Sequence, residues 1–188
     1  RPVNVAMRWI HACLLASSAF AAEPITRSLP EWGDSLRFIY SELPHYVARD
    51  AKEEGIPLVA FVTQESCKVS QKLKASVRDG SLVKKLAHKF LFADGSSPSE
   101  WEHPADDTHD YVPRVYFFDG NGTMLDIRGP KKGYPRFFSS DDFVHQGMEQ
   151  TLDEIEERKN PDKALSDLDE DDEEEMMMMM SEGKDTEL

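Results

Sequence analysis

The chain has 188 residues and a formal net charge of −14. A chain of this length fits one domain with tails and can bury a full core without disulfide staples. The negative charge argues against nucleic acid and anionic membrane surfaces as partners. That charge is uneven, because residues 162–188 hold 12 Asp and Glu against 2 Lys, so residues 1–161 carry only −4 of the total.

Residues 1–22 have the pattern of a secretory signal peptide. A basic residue precedes an apolar stretch over 10–20, and Ala19-Phe20-Ala21 fits the small-x-small cleavage rule. The stretch is shorter than the ~20 residues that a spanning helix needs, so no membrane span is expected. We expect translation to begin at Met7, with residues 1–6 as an upstream extension. The alternative is that this segment is a buried first element of the fold.

If residues 1–22 are a signal peptide, only one of the two cysteines stays in the mature protein. Cys13 lies in the signal peptide, so Cys67 is the one cysteine of the mature protein. A secreted chain with one cysteine has no internal disulfide, which indicates intermolecular pairing or reactivity. The alternative is an inert buried cysteine, which the polar and basic flanks of Cys67 disfavour.

The folded domain is expected to span residues 32–160, with 23–31 as a linker before it. Apolar residues at spacings of three and four predict a mainly helical segment over 32–54. Gly55 ends that helix, and a short apolar run over 58–62 predicts a buried strand.

Cys67 begins the next predicted helix, after a polar loop over 63–66. A helix N-terminus presents unpaired N–H groups and a positive dipole end, and both favour thiolate over thiol. Such a setting can lower a cysteine pKa well below its free value of about 8.5. Lys68 and Lys72 add positive charge nearby, so Lys68 is predicted to tune the pKa of Cys67. The motif is Cys-x-x-Ser, with Ser70 at its end.

Apolar periodicity predicts the elements that follow: a helix to about residue 78, a short helix over 81–89 and a strand over 90–93. Residues 94–110 are predicted to be a polar loop, in which His103 and His109 stand among acids. The loop lacks the ligand spacing and fixed scaffold of a zinc site, so no metal is expected.

The stretch from Tyr111 to Asp119 predicts a strand that begins after Pro113, because proline cannot donate a ladder hydrogen bond. The turn signal Asp-Gly-Asn-Gly follows, and residues 123–127 are predicted to be the return strand of a hairpin. Asn121 also begins an Asn-Gly-Thr sequon for N-glycosylation, whose use a tight turn would hinder.

Ser139 or Ser140 is predicted to cap a final helix that extends to about residue 159. Residues 161–188 are expected to be an acidic, methionine-rich tail without fixed structure. Its acid block over 169–175 cannot bury enough apolar surface to order the chain. The run Met176–Met180 cannot form a core alone, and it is a candidate sticky surface for clients or membranes.

The C-terminal sequence Asp185-Thr186-Glu187-Leu188 is similar to retrieval signals of the Lys-Asp-Glu-Leu type, which a receptor reads. Its first residue is acidic where the usual signal is basic. Together with the signal peptide, this ending predicts the endoplasmic reticulum lumen as the location and a retrieval receptor as a partner.

These elements and motifs together resemble a known family. The matching residues are Cys67-Lys68-Val69-Ser70, Leu73-Lys74, Tyr111-Val112-Pro113-Arg114, Phe117-Phe118-Asp119, Phe137-Phe138, Gln146-Gly147-Met148 and Thr186-Glu187-Leu188. They are similar to those of the small thioredoxin-like proteins of the endoplasmic reticulum, the anterior gradient and thioredoxin domain-containing 12 family. The resemblance covers about residues 32–159 and implies an α/β, thioredoxin-like fold with a central mixed sheet flanked by helices.

The resemblance also implies residue roles. Cys67 and Ser70 correspond to the two catalytic positions of the active-site motif. Val112 and Pro113 correspond to the cis-proline loop, which faces the cysteine and binds the client peptide. Related enzymes have tryptophan where this chain has Ser66, and dithiol members have cysteine where it has Ser70, as in the anterior gradient branch.

The absent second cysteine limits the chemistry. Ser70 cannot supply the second thiolate that resolves a mixed disulfide. Cys67 can attack a client disulfide and wait for an external thiol, which predicts monothiol exchange or isomerisation during protein folding. No cofactor is expected, and glutathione would serve as a thiol co-substrate. The alternative is a non-catalytic client-binding or chaperone module, with an incidental thiol or one that links a Cys67 homodimer.

Overall fold

The computed structural model describes residues 25–95, 98–101 and 111–160. Its strands form one sheet: β1 Arg27–Leu29, β2 Gly33–Phe38, β3 Leu58–Val62, β4 Leu91–Gly95 and β5 Arg114–Phe118. Their order across the sheet is β1-β2-β4-β3-β5. β2, β4 and β3 run parallel to one another, whereas β1 and β5 are antiparallel to their neighbours.

Helices cover both faces of this sheet: α1 Pro44–Glu54, α2 Lys68–Asp79, α3 Leu82–Leu86 and α4 Asp141–Lys159. Side chains alternate between the two faces of a strand, so β3 contributes to two separate cores. Val59 and Phe61 belong to the core that holds residues of α2, α3 and α4. Leu58, Ala60 and Val62 belong to the core that includes α1. The fold is thioredoxin-like.

The helix predicted over 32–54 is wrong in its first half, where residues 33–38 form β2. Leu36 and Phe38 are alternate residues that both enter the core, and Phe38 pairs with Phe92 of β4. A short apolar segment fits the helical and the strand period equally well, so pairing with β4 decides the conformation. α1 begins only at Pro44 and ends where Gly55 adopts a left-handed φ of 66°.

The sheet also extends into residues 23–31, which were predicted to be a linker. β1 pairs with β2, with Leu29 opposite Gly33. These three residues carry little apolar pattern of their own, and the hydrogen-bonding edge of β2 orders them.

The predicted return strand over 123–127 is wrong, because only one isolated bridge forms, between Phe118 and Met124. The Nη1 atom of buried Arg136 donates to the carbonyl oxygens of Leu125 and Ile127, at 3.4 and 2.8 Å. A side chain therefore occupies acceptors that a strand would offer to a partner.

Other elements agree with the prediction. α2 covers residues 68–79, α3 and a 3₁₀ turn over Ala87–Lys89 fill the short helical segment, and β5 begins directly after Pro113. Ser140 caps α4 by accepting a hydrogen bond from the Phe143 amide.

The loop predicted over 94–110 begins later than expected, because Asp94 and Gly95 are the last residues of β4. The signal peptide, the acidic tail, His103 and His109 lie outside the described residues.

Across the ranges that the structure describes, no helix has both the length and the apolar character needed to cross a membrane.

Candidate active site

Cys67 is the N-cap residue of α2 and follows the loop that leaves the end of β3. The Cys67 amide donates to the carbonyl oxygen of Gln64 at 3.0 Å, and the Gln71 amide donates to that of Cys67 at 3.1 Å. These bonds close the turn before the first turn of the helix. The Cys67 side chain is half-buried, so solvent can reach the sulfur.

The first turn of α2 lowers the pKa of the Cys67 thiol. The main cause is the backbone N–H of Ser70, with further stabilisation of the thiolate by the Ser70 hydroxyl and the N–H of Val69. Partial burial of the thiol opposes these groups but does not offset them. The first N–H groups of a helix have no partner within the helix, so they favour the thiolate over the thiol at the N-cap position.

Lys68 and Lys72 are exposed. Neither lysine is among the groups that lower the pKa of Cys67. The tuning role of Lys68 therefore stays a prediction.

Ser70 is buried, with 1% of its surface exposed. Its hydroxyl oxygen accepts a hydrogen bond from the Gln64 amide at 3.3 Å. One side chain thus contacts both the loop before Cys67 and the thiol itself. A serine here supports a thiolate but offers no second sulfur.

The segment before β5 lies against Cys67. The Cys67 thiol donates to the carbonyl oxygen of Val112, with 3.7 Å between sulfur and oxygen. The Val112–Pro113 peptide bond is cis, as the resemblance implied. Val112 is half-buried and Pro113 is buried, so the residue that contacts the thiol also reaches solvent.

The segment before β5 is held in place by Arg136, Tyr134 and Trp101, which contact its residues Tyr111 and Arg114. These contacts were not predicted from the sequence. The Tyr111 hydroxyl accepts from the Arg136 amide at 2.9 Å, and the Tyr111 ring packs edge-on against that of Tyr134, 5.0 Å away. Arg114 is fully buried and donates to the carbonyl oxygen of Trp101 at 2.6 Å. Nothing local in the sequence marks these contacts, which join residues 13 to 25 positions apart.

Lys74 and Asp94 form an ion pair close to Ser70 of the Cys-x-x-Ser motif. Lys74 lines an open cavity of about 370 Å³ together with Ser70, and its ammonium lies 3.8 Å from the carboxylate of Asp94. Burial raises the pKa of Asp94, and the charge of Lys74 opposes that rise. Asp94 was predicted to begin a loop, so the sequence carried no signal for this pair.

Asn121 lies at the other end of the sheet. Leu58 pairs with Phe118 and Val62 with Arg114, so the turn after β5 is opposite to the end of β3 that leads to Cys67. Asn121 is exposed, and its backbone N–H donates to the Asp119 carboxylate at 2.9 Å. Its glycosylation stays a prediction, separate from the thiol site.

Among the side chains that the structure describes, no three or more His, Cys, Asp or Glu are grouped to hold an ion.

No protein-family model matches the chain. No curated protein matches it. A solved structure titled DsbH oxidoreductase is similar at 16% identity and a TM-score of 0.42, covering 70% of this chain and 95% of that one. The fold assignment here rests on the strand order and strand directions of the sheet.

Proposed function

We propose that the protein carries out monothiol exchange with the disulfides of client proteins through Cys67. One observation carries the proposal: a half-exposed thiol with a lowered pKa lies 3.7 Å from the carbonyl oxygen of Val112. The thiolate is the nucleophile in disulfide exchange. The adjacent peptide group offers an extended client a backbone partner next to that nucleophile.

The reaction has two steps. The Cys67 thiolate attacks one sulfur of a client disulfide, a Cys67–client disulfide forms, and the other client sulfur leaves as a thiolate. A second thiolate, from glutathione or from another client cysteine, then attacks the client sulfur of this adduct and releases Cys67. Release by a client cysteine gives isomerisation without a net oxidant. Ser70 takes part in neither step as a nucleophile, and its N–H and hydroxyl stabilise the Cys67 thiolate.

We place this activity in the endoplasmic reticulum lumen, with a retrieval receptor as a partner. The support is the signal-like pattern of residues 1–22 and the sequence of the last four residues. An oxidising compartment is also where client disulfides persist. Membership of the anterior gradient and thioredoxin domain-containing 12 family is part of the same proposal.

Trapping of adducts tests the function directly. The reduced protein is mixed with glutathione disulfide or with a peptide that contains a disulfide, and intact mass reports the adduct. We expect a mixed disulfide on Cys67 that persists until a thiol is added, and no adduct with Cys67→Ser. Ser66→Ala is the matched control, because Ser66 is exposed beside Cys67 and has no role in the proposed chemistry.

The opposite result supports the non-catalytic alternative. If the wild type forms no adduct while Cys67→Ser still binds clients, the thiol is incidental and the protein is a binding module. An adduct confined to two copies of this chain supports a Cys67-linked homodimer.

A further inference from the structure

A cavity of about 490 Å³ lies at the end of the sheet opposite to Cys67. It is lined by residues next to the start of β3, the turn after β5 and the last turns of α4. Its apolar wall is formed by Pro57, Leu152 and Ile155, and its basic rim by Lys89, Arg158 and Lys159. Its volume is within the range of about 300–1,000 Å³ that is typical of binding sites.

The positive charge of the rim comes from Lys89 and Lys159, because Arg158 is paired with two carboxylates. Among the described residues that line the cavity, Asp119 is the only acid, and it lies 3.5 Å from Arg158. Arg158 also pairs with Glu154 at 2.5 Å. The side chains of Lys89 and Lys159 are exposed to solvent. An apolar wall beside a cationic rim fits a partner in which apolar side chains adjoin carboxylates.

The tail of this chain has that pattern. The acid block over 169–175 contains only Asp and Glu, and five methionines follow it directly as Met176–Met180. Methionine is unbranched and polarizable, so it fills irregular apolar gaps that stiffer side chains cannot. Carboxylates next to those methionines would lie at the two exposed lysines of the rim.

The connection between cavity and tail favours this occupant over a separate molecule. Lys159 lines the cavity and is the last residue of α4, so the tail starts at the cavity itself. Residues 160–175 can extend to roughly 50 Å at about 3.3 Å per residue, which is ample for the chain to return. A short solvated linker gives an effective concentration in the millimolar range, so even weak contacts lead to docking.

We propose that Met176–Met180 dock in this cavity of the same chain, with the acid block along the rim formed by Lys89, Arg158 and Lys159. The methionine run then has an apolar partner that it cannot provide for itself. The inference is independent of the chemistry of Cys67.

Hydrogen exchange of the full chain, followed by mass spectrometry, tests the docking. We expect amides of 176–180 to exchange at least twofold more slowly than an unprotected peptide of the same sequence. Lys89→Glu with Lys159→Glu should abolish this protection, because carboxylates would then face carboxylates. Both lysines are exposed, so the variant should keep its fold, which unchanged exchange in β3 and β4 would verify.

The matched control is Lys72→Glu with Lys132→Glu, which makes the same change of charge at exposed residues outside the cavity. It should retain the protection. Unprotected amides in the wild type would overturn the proposal. So would protection that survives the change at Lys89 and Lys159, since the tail would then dock elsewhere. Protection that disappears on dilution would assign the cavity to the tail of a second copy.

Discussion

At the scale of single residues, the first turn of α2 sets the direction in which the pKa of Cys67 shifts. Its pKa is lowered by the Ser70 N–H first and by the Ser70 hydroxyl and Val69 N–H in addition. A lowered pKa means that the reactive thiolate forms at lower pH. The rate of alkylation by iodoacetamide should therefore reach half its maximum below pH ~8.5, the value for a free cysteine.

Ser70→Ala separates the two contributions of Ser70. The substitution removes the hydroxyl but keeps the backbone N–H, so the midpoint of the alkylation profile should rise only part of the way to that of free cysteine. Ser66→Ala should leave the midpoint unchanged. An unchanged midpoint in Ser70→Ala would show that the hydroxyl has no role in tuning the thiol.

Ser70→Cys tests whether a second thiol at this position is sufficient for disulfide reduction. The new thiol would occupy a buried position, next to a thiol that the Ser70 N–H already stabilises. Adducts of Cys67 should then become short-lived, because the second sulfur attacks the mixed disulfide, and insulin reduction should rise above that of the wild type. Cys67→Ser should abolish both. A Ser70→Cys variant that stays inert while Cys67 remains reactive would point to Ser66, where the enzymes that this sequence resembles have tryptophan.

At the scale of elements, the N-terminus of α4 also caps α3. The buried Asp141 carboxylate accepts from the amides of Leu82 and Val83, at 2.9 and 3.1 Å. Asp141→Ala leaves these N–H groups without their acceptor, and a buried unsatisfied group costs about 1–3 kcal/mol. The free energy of unfolding in urea should fall by about that amount.

Asp142→Ala is the matched control for this cap. Asp142 is exposed in the same first turn. Its loss removes a favourable interaction with the helix dipole, about 0.3–1 kcal/mol, and a solvent-exposed hydrogen bond from the Gln146 side chain at 2.9 Å, but it leaves no buried N–H group unsatisfied. Equal losses in the two variants would contradict a capping role for Asp141.

At the scale of the whole molecule, we expect removal of the signal peptide to leave the protein with one thiol. When the chain is expressed in a secretory system, we expect cleavage after Ala21 or Ala22, which removes Cys13. N-terminal sequencing and thiol titration should then find one free thiol per chain. A luminal protein that begins at Arg1 or Met7 would contradict the signal-peptide prediction.

Local patterns were sufficient for the elements that depend on their own residues. The buried run of β3, the α2 helix that begins after Cys67 and the Ser140 cap each follow from side-chain period or capping chemistry within a few residues. The position of Cys67 at a helix start, and with it the direction of its pKa shift, was therefore predictable.

Only the tertiary structure decided features that depend on distant contacts. β2 is a strand because β4 pairs with it. Residues 123–127 form one bridge to β5 and no regular strand, and the Arg136 side chain binds the carbonyl groups of Leu125 and Ile127. The contact of Cys67 with Val112 joins residues 45 positions apart. The sequence by itself determined the thiol and its helix, since both arise within one turn. The tertiary structure decided what faces that thiol, because only packing brings the β5 segment to it.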